Sequence, residues 1–206
     1  MLDKYYFGKV DRISPEAPVP IVNIQKEESR LGGASNVANN IVSLGGHSLL
    51  CGVIGHDLFG KEIERISRHK NIDTFLLKTS SPTITKARII GGKQQIVRVD
   101  YEDKSELNAD NKKLFRDTIS RILPEYDILV ISDYGKGLIS EDLCRYLIKL
   151  AHKYDKKVII DPKGKNWEKY SGADIVTPNV KELSDIVGYT VPNTDRAIEK
   201  AAREAI

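Results

Sequence analysis

Gly32-Gly33-Ala34-Ser35-Asn36-Val37-Ala38 is the stretch from which the fold of this 206-residue chain is most readily predicted. A helical pattern follows it as far as Gly45, and an apolar strand then ends at Gly55. The two glycines let the backbone approach a ligand closely, Asn36 offers donors and an acceptor, and the amides that open the helix face the same spot. We therefore predict a turn that binds a polyhydroxylated ligand.

Apolar, β-branched runs alternate with helical patterns along most of the chain. Such alternation predicts parallel strands covered by helices, so the expected fold class is α/β with a mostly parallel central sheet. In the first helix, the spacing of Val37, Ile41 and Leu44 predicts a buried face that ends at Gly45-Gly46. The other predicted elements are strands over 49–54, 128–131, 158–160 and 175–176, and helices over 59–69, 141–154 and 180–187.

Three segments instead alternate polar and apolar residues with period two, which is the pattern of antiparallel strands. These segments cover 18–24, 83–90 and 95–100, and the last two are separated by a Gly-Gly turn at 91–92. We predict that they form a small separate sheet. Because alternate strand positions share a face, Lys86 and Arg88 point the same way, and together with Arg98 they suit either a phosphorylated ligand or a solvated face.

Composition excludes several classes of protein. Hydrophobic residues make up 40% and charged residues 30% of the chain, which predicts a soluble globular domain without a membrane span. The net charge is only +3 and no basic block is interleaved with aromatics, so nucleic-acid binding is not expected. Cys51 and Cys144 lie outside any Cys-x-x-Cys pattern, which argues against a disulfide framework or a zinc site and favours a reducing cytoplasm.

Polar residues follow three of the predicted parallel strands directly. Ligands of open parallel sheets bind beyond the carboxyl ends of the strands, so we expect these residues to open onto one cleft. Purely structural roles are the alternatives to ligand binding. Asp133 and Lys136 would then form a salt bridge within their loop, and Asp161 would cap a turn. The residues are Asp133 and Lys136 after the first of these strands, Asp161 and Lys163 after the second, and Asn179, Val180, Lys181 and Glu182 after the third.

Asn179 and Glu182 open a predicted helix three residues apart, on one face and near the positive end of the helix dipole. An amide and a carboxylate there can hold a hydrated Mg²⁺ against nucleotide phosphates, because Mg²⁺ prefers oxygen ligands and keeps its waters. An Asn N-cap with Glu in a capping box explains the same spacing. Both interpretations remain open at this point.

The segment Gly55-His56-Asp57-Leu58-Phe59-Gly60-Lys61-Glu62 matches a P-loop until its last position. Glu62 stands where the loop needs a Ser or Thr for magnesium, and Asp57 adds negative charge inside the phosphate cradle. The segment is therefore predicted not to be a P-loop. No Gly-x-Gly-x-x-Gly fingerprint of a dinucleotide fold occurs either.

Residues 32–38, the Asn-x-x-Glu at 179–182 and the Gly-x-Asp-x-Phe-Gly turn at 55–60 together resemble the ribokinase-like (PfkB) carbohydrate kinases. This resemblance implies a ribokinase-like three-layer sandwich. It also implies a β-lid, at about 10–30 and 82–101, that covers the sugar and pairs with a second lid in a homodimer. Asp3 would accept hydrogen bonds from sugar hydroxyls beside Gly32, Gly33 and Asn36, and the Asn-x-x-Glu motif would bind Mg²⁺ and phosphate.

Within that family, further segments resemble the branch that phosphorylates heptose 7-phosphate. The resemblance implies ATP-dependent phosphorylation of the anomeric hydroxyl of D-glycero-β-D-manno-heptose 7-phosphate, on the route to the ADP-heptose of lipopolysaccharide cores, by a kinase often fused to an adenylyltransferase. Lys86, Arg88, Arg98, Asp133 and Lys136 would lie on the substrate side, and Asp161, Lys163 and residues 179–182 on the ATP side. The matching segments cover 12–20, 82–86, 94–100, 132–137 and 161–164.

The family takes its proton acceptor from a Gly-Ala-Gly-Asp motif, and no such motif occurs in the 206 residues. We therefore expect a partial kinase domain over 1–206, incomplete at both ends, that lacks the catalytic aspartate and most of the nucleotide-binding part and is inactive in isolation. The alternatives are a kinase for another sugar and a non-catalytic sugar-binding remnant. An in-frame continuation that encodes the motif would separate the last of these from a kinase.

Overall fold

A computed structural model describes residues 1–205, and the chain divides into two units, Met1–Asp103 and Lys104–Ile206. The strands of the first unit are β1 (Leu2–Ile13), β2 (Pro20–Leu31), β3 (Leu49–Gly55), β4 (Asp73–Thr79), β5 (Thr85–Gly91) and β6 (Gln94–Tyr101), and its helices are α1 (Ala34–Ser43) and α2 (Leu58–His69). The second unit contains α3 (Ala109–Ile122), β7 (Ile128–Ser132), α4 (Glu141–Lys153), β8 (Lys157–Asp161), β9 (Ile175–Val176), α5 (Val180–Val187) and α6 (Asp195–Ala205), with short 3₁₀ turns at Leu123–Glu125 and Glu168–Tyr170.

The first unit contains a four-stranded sheet in the order β2-β1-β5-β6. β1 pairs antiparallel with β2 and parallel with β5, and β5 pairs antiparallel with β6. The three period-two segments thus lie in this sheet, as predicted, but β2 runs on to Leu31 and β1 was not predicted. The sequence of β1 mixes charged and aromatic side chains at nearly every position, so it carries no clean alternation.

The predicted buried face of α1 is wrong. Leu44 is 89% exposed, and the buried side chains of the helix are Ser35 and Ala38. Ala34 and Val42 pack beside them against the core of the first unit. The closely packed positions of α1 hold small residues. A prediction based on the large apolar side chains therefore selected the wrong face of the helix. The predicted end is right, since Gly45 takes a positive φ of 89° directly after the helix.

β3 and β4 form a separate parallel pair in the first unit, and α2 connects them along the chain. The core around them includes Leu2, Leu50, Ile54 and Ile63, each nearly fully buried. These apolar contacts join the start of β1 to the strand and helix that follow the glycine turn. The start of β1 and the turn are therefore held in fixed positions relative to each other.

The second unit contains the parallel sheet β7-β8-β9, whose strands and following helices lie where the sequence predicted them. Buried residues of α4, including Cys144, Leu147 and Ala151, form its apolar face. The mixed α/β fold with a largely parallel arrangement of strands confirms the predicted class. Among the helices of residues 1–205, none has the length and apolar character needed to cross a membrane.

Candidate functional sites

The glycine turn is tied to the first residues of β1. Gly33, the residue before α1, has φ 54° and ψ −134°, a conformation that favours glycine. The Gly32 amide donates to the Met1 carbonyl at 3.0 Å. The Ser35 hydroxyl lies 2.7 Å from the Gly32 carbonyl and 3.0 Å from the Met1 carbonyl. Ser35 was not predicted as a site residue, although its place inside the motif was a usable signal.

Asp3 lies directly against this turn. A methyl group added at Gly32 would lie 2.6 Å from Asp3 Oδ2, so the carboxylate approaches the backbone as closely as only glycine allows. Asp3 Oδ1 accepts a hydrogen bond from Arg88 Nη1 at 2.8 Å, and both side chains are about one-fifth exposed. The structure therefore brings together three of the predicted substrate residues, namely Asp3, Gly32 and Arg88.

Asn36 is exposed in the first turn of α1. Within residues 1–205, no side-chain hydrogen bond caps that turn and no acidic residue lies in it. The Asn36 and Val37 amides donate to the Gly33 carbonyl at 2.9 and 3.2 Å, which leaves the Asn36 carboxamide as the exposed polar group of this turn. Its contact with a ligand remains a prediction.

The face of the sheet that carries Asp3 also carries stacked cations. The Tyr5 ring has the Arg30 guanidinium 4.8 Å from its centroid and the Arg88 guanidinium at 5.1 Å. In the strand register, Arg88 lies opposite Tyr5 on one side and Arg98 on the other, and Lys86 lies opposite Asp3. The predicted common face of Lys86 and Arg88 is thus present. Tyr5 was missed because β1 was not predicted, and Arg30 because the predicted strand over 18–24 ends before it.

Arg98 belongs to the same face but is engaged differently. Its guanidinium forms a two-point contact with Asp100, with distances of 2.8 and 2.9 Å. About half of the Arg98 side chain is exposed. The solvated-face interpretation describes this pair, and a role for Arg98 in binding remains a prediction.

In the turn that resembles a P-loop, the Asp57 carboxylate accepts the hydrogen bonds of the surrounding backbone and hydroxyl groups. Asp57 Oδ1 accepts from the Gly60 amide and from the Thr83 hydroxyl, both at 2.7 Å, and Asp57 Oδ2 accepts from the Thr83 amide at 2.7 Å. Burial alone would raise the pKa of Asp57, but these hydrogen bonds outweigh it and the pKa is lowered. The segment therefore has a structural role: it connects the start of α2 to the residues that precede β5. This agrees with the prediction that it is not a P-loop.

In the second unit, Asp133 is buried at the end of β7. Its carboxylate accepts from the Gly135 amide at 2.7 Å, from the Tyr170 hydroxyl at 2.7 Å and from Lys169 Nζ at 2.5 Å. A salt bridge with Lys136 was one predicted alternative for Asp133, whereas its contacts with Lys169 and Tyr170, 36 and 37 residues away along the chain, were not predicted.

Asp161 ends β8 beside Asp133, whose amide donates to the Asp161 carbonyl at 3.0 Å. Burial raises the pKa of the Asp161 carboxyl, the Ser132 hydroxyl bond opposes that rise, and the nearby Glu182 and Asp133 carboxylates add to it. Lys163, two residues further on, places Nζ 3.2 Å from Glu182 Oε1. Asp133, Asp161, Lys163 and Glu182, which come from the three strand ends, are therefore neighbours within the second unit.

Asn179 and Glu182 form a capping box, which was one of the two interpretations that the sequence allowed. Asn179 Oδ1 accepts from the Glu182 amide at 3.0 Å, and Glu182 Oε2 accepts from the Asn179 amide at 3.1 Å. In the same first turn, Val180 is partly buried and Lys181 is exposed. The capping interpretation is thus correct, and it leaves the functional one untouched, because each carboxylate oxygen has a second acceptor site.

The donor set near α5 fits outer-sphere Mg²⁺ better than direct chelation. No group of three or more His, Cys, Asp or Glu side chains among residues 1–205 could hold a metal ion directly. Glu182 has one carboxylate oxygen beside Lys163 and the other on an amide, so metal-bound waters can use the remaining lone pairs. The predicted contact of Mg²⁺ with Asn179 and Glu182 through water stays a prediction.

The mixed α/β fold and the placement of the glycine turn and the Asn-x-x-Glu motif agree with the resemblance to carbohydrate kinases, and comparison with known proteins shows the class. The family model described as pfkB family carbohydrate kinase matches residues 5–206. The chain therefore belongs to the PfkB carbohydrate kinase family. Phosphofructokinase-2 from Escherichia coli in complex with potassium has a similar fold, with a TM-score of 0.75 at 23% identity over 98% of this chain and 64% of that one.

Among curated relatives, the chain is 47% identical over 183 residues to the bifunctional protein HldE of Helicobacter pylori strain P12, which covers 88% of the chain and 40% of the relative. It is 43% identical over 204 residues to the D-beta-D-heptose 7-phosphate kinase of Bordetella bronchiseptica, covering 98% of the chain and 64% of the relative. The chain thus spans 40% of the length of the first relative and less than two thirds of the second.

Proposed function

We propose that this chain is the sugar-binding and phosphate-binding part of an ATP-dependent kinase that phosphorylates the anomeric hydroxyl of D-glycero-β-D-manno-heptose 7-phosphate. The observation that carries the proposal is the contact of Asp3 with both Gly32 and Arg88. A carboxylate beside a guanidinium supports a site where Asp3 accepts from sugar hydroxyls and Arg88 donates to phosphate, which suits a sugar that already bears a phosphate. The identity to relatives named as heptose 7-phosphate kinase and HldE supports the same substrate.

On the sugar side, Asp3 accepts hydrogen bonds from hydroxyl groups, and the Asn36 carboxamide completes the polar surface. Gly32 and Gly33 keep this surface free of side chains. Arg88 holds the phosphate of the sugar. Lys86 and Arg98 lie on the same face and Asp133 and Lys136 follow β7, and all four are assigned to the substrate side on the strength of the family resemblance.

On the ATP side, Asn179 and Glu182 would hold Mg²⁺ through its waters, and the chemistry that Mg²⁺ would supply there is neutralisation of charge on the transferred phosphate. Lys163 is paired with Glu182 and can exchange that partner for a nucleotide phosphate. Asp161 and the first-turn residues Val180 and Lys181 complete this side.

We further propose a cytoplasmic homodimer that pairs through the four-stranded sheet β2-β1-β5-β6. We also propose a fused adenylyltransferase domain, which the name of the bifunctional relatives supports.

The test uses the protein expressed from its natural reading frame and assayed with heptose 7-phosphate and a panel of other sugars and sugar phosphates. Asn36→Ala should raise the KM for the sugar by about tenfold, the effect of one lost hydrogen bond of ordinary strength, with little change in the KM for ATP. Asn40→Ala, an exposed asparagine on the same helix, is the control and should change neither constant. A larger effect on ATP would overturn the assignment of the glycine turn, and preference for another sugar would overturn the substrate. The 206-residue chain alone, which has no Gly-Ala-Gly-Asp motif, should show no turnover.

A further inference from the structure

The hydroxyl group of Tyr170 lies where two loops of the second unit meet. Tyr170 is buried in the 3₁₀ turn Glu168–Tyr170, with 3% of its surface exposed. Its hydroxyl donates to Asp133 Oδ2 at 2.7 Å and accepts from the Lys163 amide at 2.9 Å. A tyrosine that only filled the core would need one partner for its hydroxyl, whereas this hydroxyl joins the loop after β7 to the loop after β8.

Asp133 and Lys169 hold that hydroxyl in place. Lys169 Nζ contacts the same carboxylate oxygen of Asp133 and lies 4.9 Å from the centroid of the Tyr170 ring. The Lys169 side chain is 17% exposed and the Asp133 side chain 2% exposed, so the pair is shielded from solvent. Burial raises the pKa of the Tyr170 hydroxyl, and the neighbouring Asp133 carboxylate adds to the rise. Tyr170 therefore remains a neutral donor throughout the pH range of an assay.

The contact reaches the ATP side through Lys163. The Lys163 amide is fixed by Tyr170, and the Lys163 ammonium group lies 3.2 Å from Glu182 Oε1. A continuous path of contacts thus runs from Asp133 through Tyr170 and Lys163 to Glu182. The Asp133 carboxylate has three partners within the chain, so this end of the path is fixed in position.

We infer that Tyr170, held by Asp133 and Lys169, is a positioning residue that aims Lys163 and its partner Glu182 at the phosphates of Mg²⁺–nucleotide. This inference rests on the proposed function for the ATP side and adds residues that neither the motifs nor the family resemblance identified. It requires only that Mg²⁺–nucleotide binds, whichever sugar is phosphorylated.

The test compares Tyr170→Phe with Tyr189→Phe in the protein from its natural reading frame. Tyr189 is exposed and its hydroxyl bonds Glu204 at 2.7 Å, so the control removes the same atom from the same residue type away from Lys163. Tyr170→Phe should weaken Mg²⁺–ADP binding by about tenfold in calorimetry, the effect of one buried hydrogen bond. It should also speed hydrogen exchange of the Lys163 amide by a similar factor, and Tyr189→Phe should change neither.

Lys163→Met separates positioning from packing. If Tyr170 acts through Lys163, the double variant with Tyr170→Phe should bind Mg²⁺–ADP no more weakly than Lys163→Met alone. Additive losses, or unchanged Mg²⁺–ADP affinity with only a lower melting temperature, would overturn the inference. Failure of the heptose assignment shows separately, as absent turnover of heptose 7-phosphate by the unsubstituted protein that still binds Mg²⁺–ADP.

Discussion

The two units of the chain hold their charged residues in different ways. In the first unit, Asp3 and Arg88 are about one-fifth exposed, and the pair of Arg98 with Asp100 faces solvent. In the second unit, the Asp133 side chain is 2% exposed and has three partners. Exposed pairs exchange partners at little cost, whereas buried pairs are costly to break. The first unit is therefore suited to accept a ligand by exchange, and the second to hold a preset geometry.

The largest test of this difference removes one carboxylate from each unit. Asp133→Ala leaves the ammonium group of Lys169 buried without its partner and should lower the free energy of unfolding by about 3–5 kcal/mol. Asp100→Ala, which breaks the exposed pair with Arg98, should cost about 0–1 kcal/mol. Urea unfolding gives both values, with fluorescence of Trp167, the one tryptophan of the chain, reporting on the second unit.

One result of these two substitutions would contradict the expected difference between the units. Equal costs for the two substitutions would mean that Asp133 is as well solvated as Asp100, and the contrast between the units would fail. Asp133→Asn keeps the shape and one acceptor oxygen, so its cost should lie between those of the wild type and Asp133→Ala.

The second test sharpens the comparison at the glycine turn. Gly32→Ala would place a methyl group 2.6 Å from Asp3 Oδ2 and should destabilise the first unit by about 1–3 kcal/mol, as overpacking does. Gly52→Ala is the matched control, because its methyl group would lie 3.7 Å from Leu76 in ordinary contact. Circular dichroism during thermal unfolding measures both.

If Asp3 rotates away to relieve the clash, Gly32→Ala will cost little stability. Sugar affinity should then fall instead, because the carboxylate has left the turn. A variant that loses neither stability nor affinity would show that the approach of Asp3 to Gly32 matters for neither.

The parts predicted correctly from sequence are those whose physical signal is local. Strands β7 and β8 are short apolar runs, α5 begins with an Asn-x-x-Glu cap, and the turn at Asp57 contains a carboxylate that a P-loop would exclude. Each of these signals lies within about ten residues and depends on backbone preference or simple periodicity.

The parts that were missed depend on contacts between distant residues. Tyr170 meets Asp133 across 37 positions and Arg88 meets Asp3 across 85, and no local pattern encodes either pairing. The buried face of α1 was placed wrongly because close packing selected Ser35 and Ala38 rather than the larger Leu44. Strand β1 was overlooked because its partners, not its own alternation, decide which of its residues are covered.

The smallest expected effect concerns pH, and it has opposite signs at two aspartates. Hydrogen bonds hold the pKa of Asp57 below its ordinary 3.8, so this carboxylate stabilises the fold above that pH and loses its effect as pH falls through the folded pKa. Burial is the main cause that raises the pKa of Asp161, and the nearby carboxylates of Glu182 and Asp133 add to the rise. Its charge therefore disfavours the fold increasingly as pH rises from 3.8 through the folded pKa.

Asp57→Asn should accordingly destabilise the protein most near neutral pH and progressively less on acidification. Asp161→Asn should become more stable relative to the wild type as pH rises, because it removes a carboxylate that the fold holds at a cost. Urea unfolding curves of both variants between pH 3 and pH 7 measure the two trends. Parallel trends at the two positions would contradict the comparison, because Asp161 would then be stabilised by its surroundings in the same way as Asp57. The opposed trends would show that the surroundings of Asp161 disfavour its charge, whereas those of Asp57 stabilise the charge.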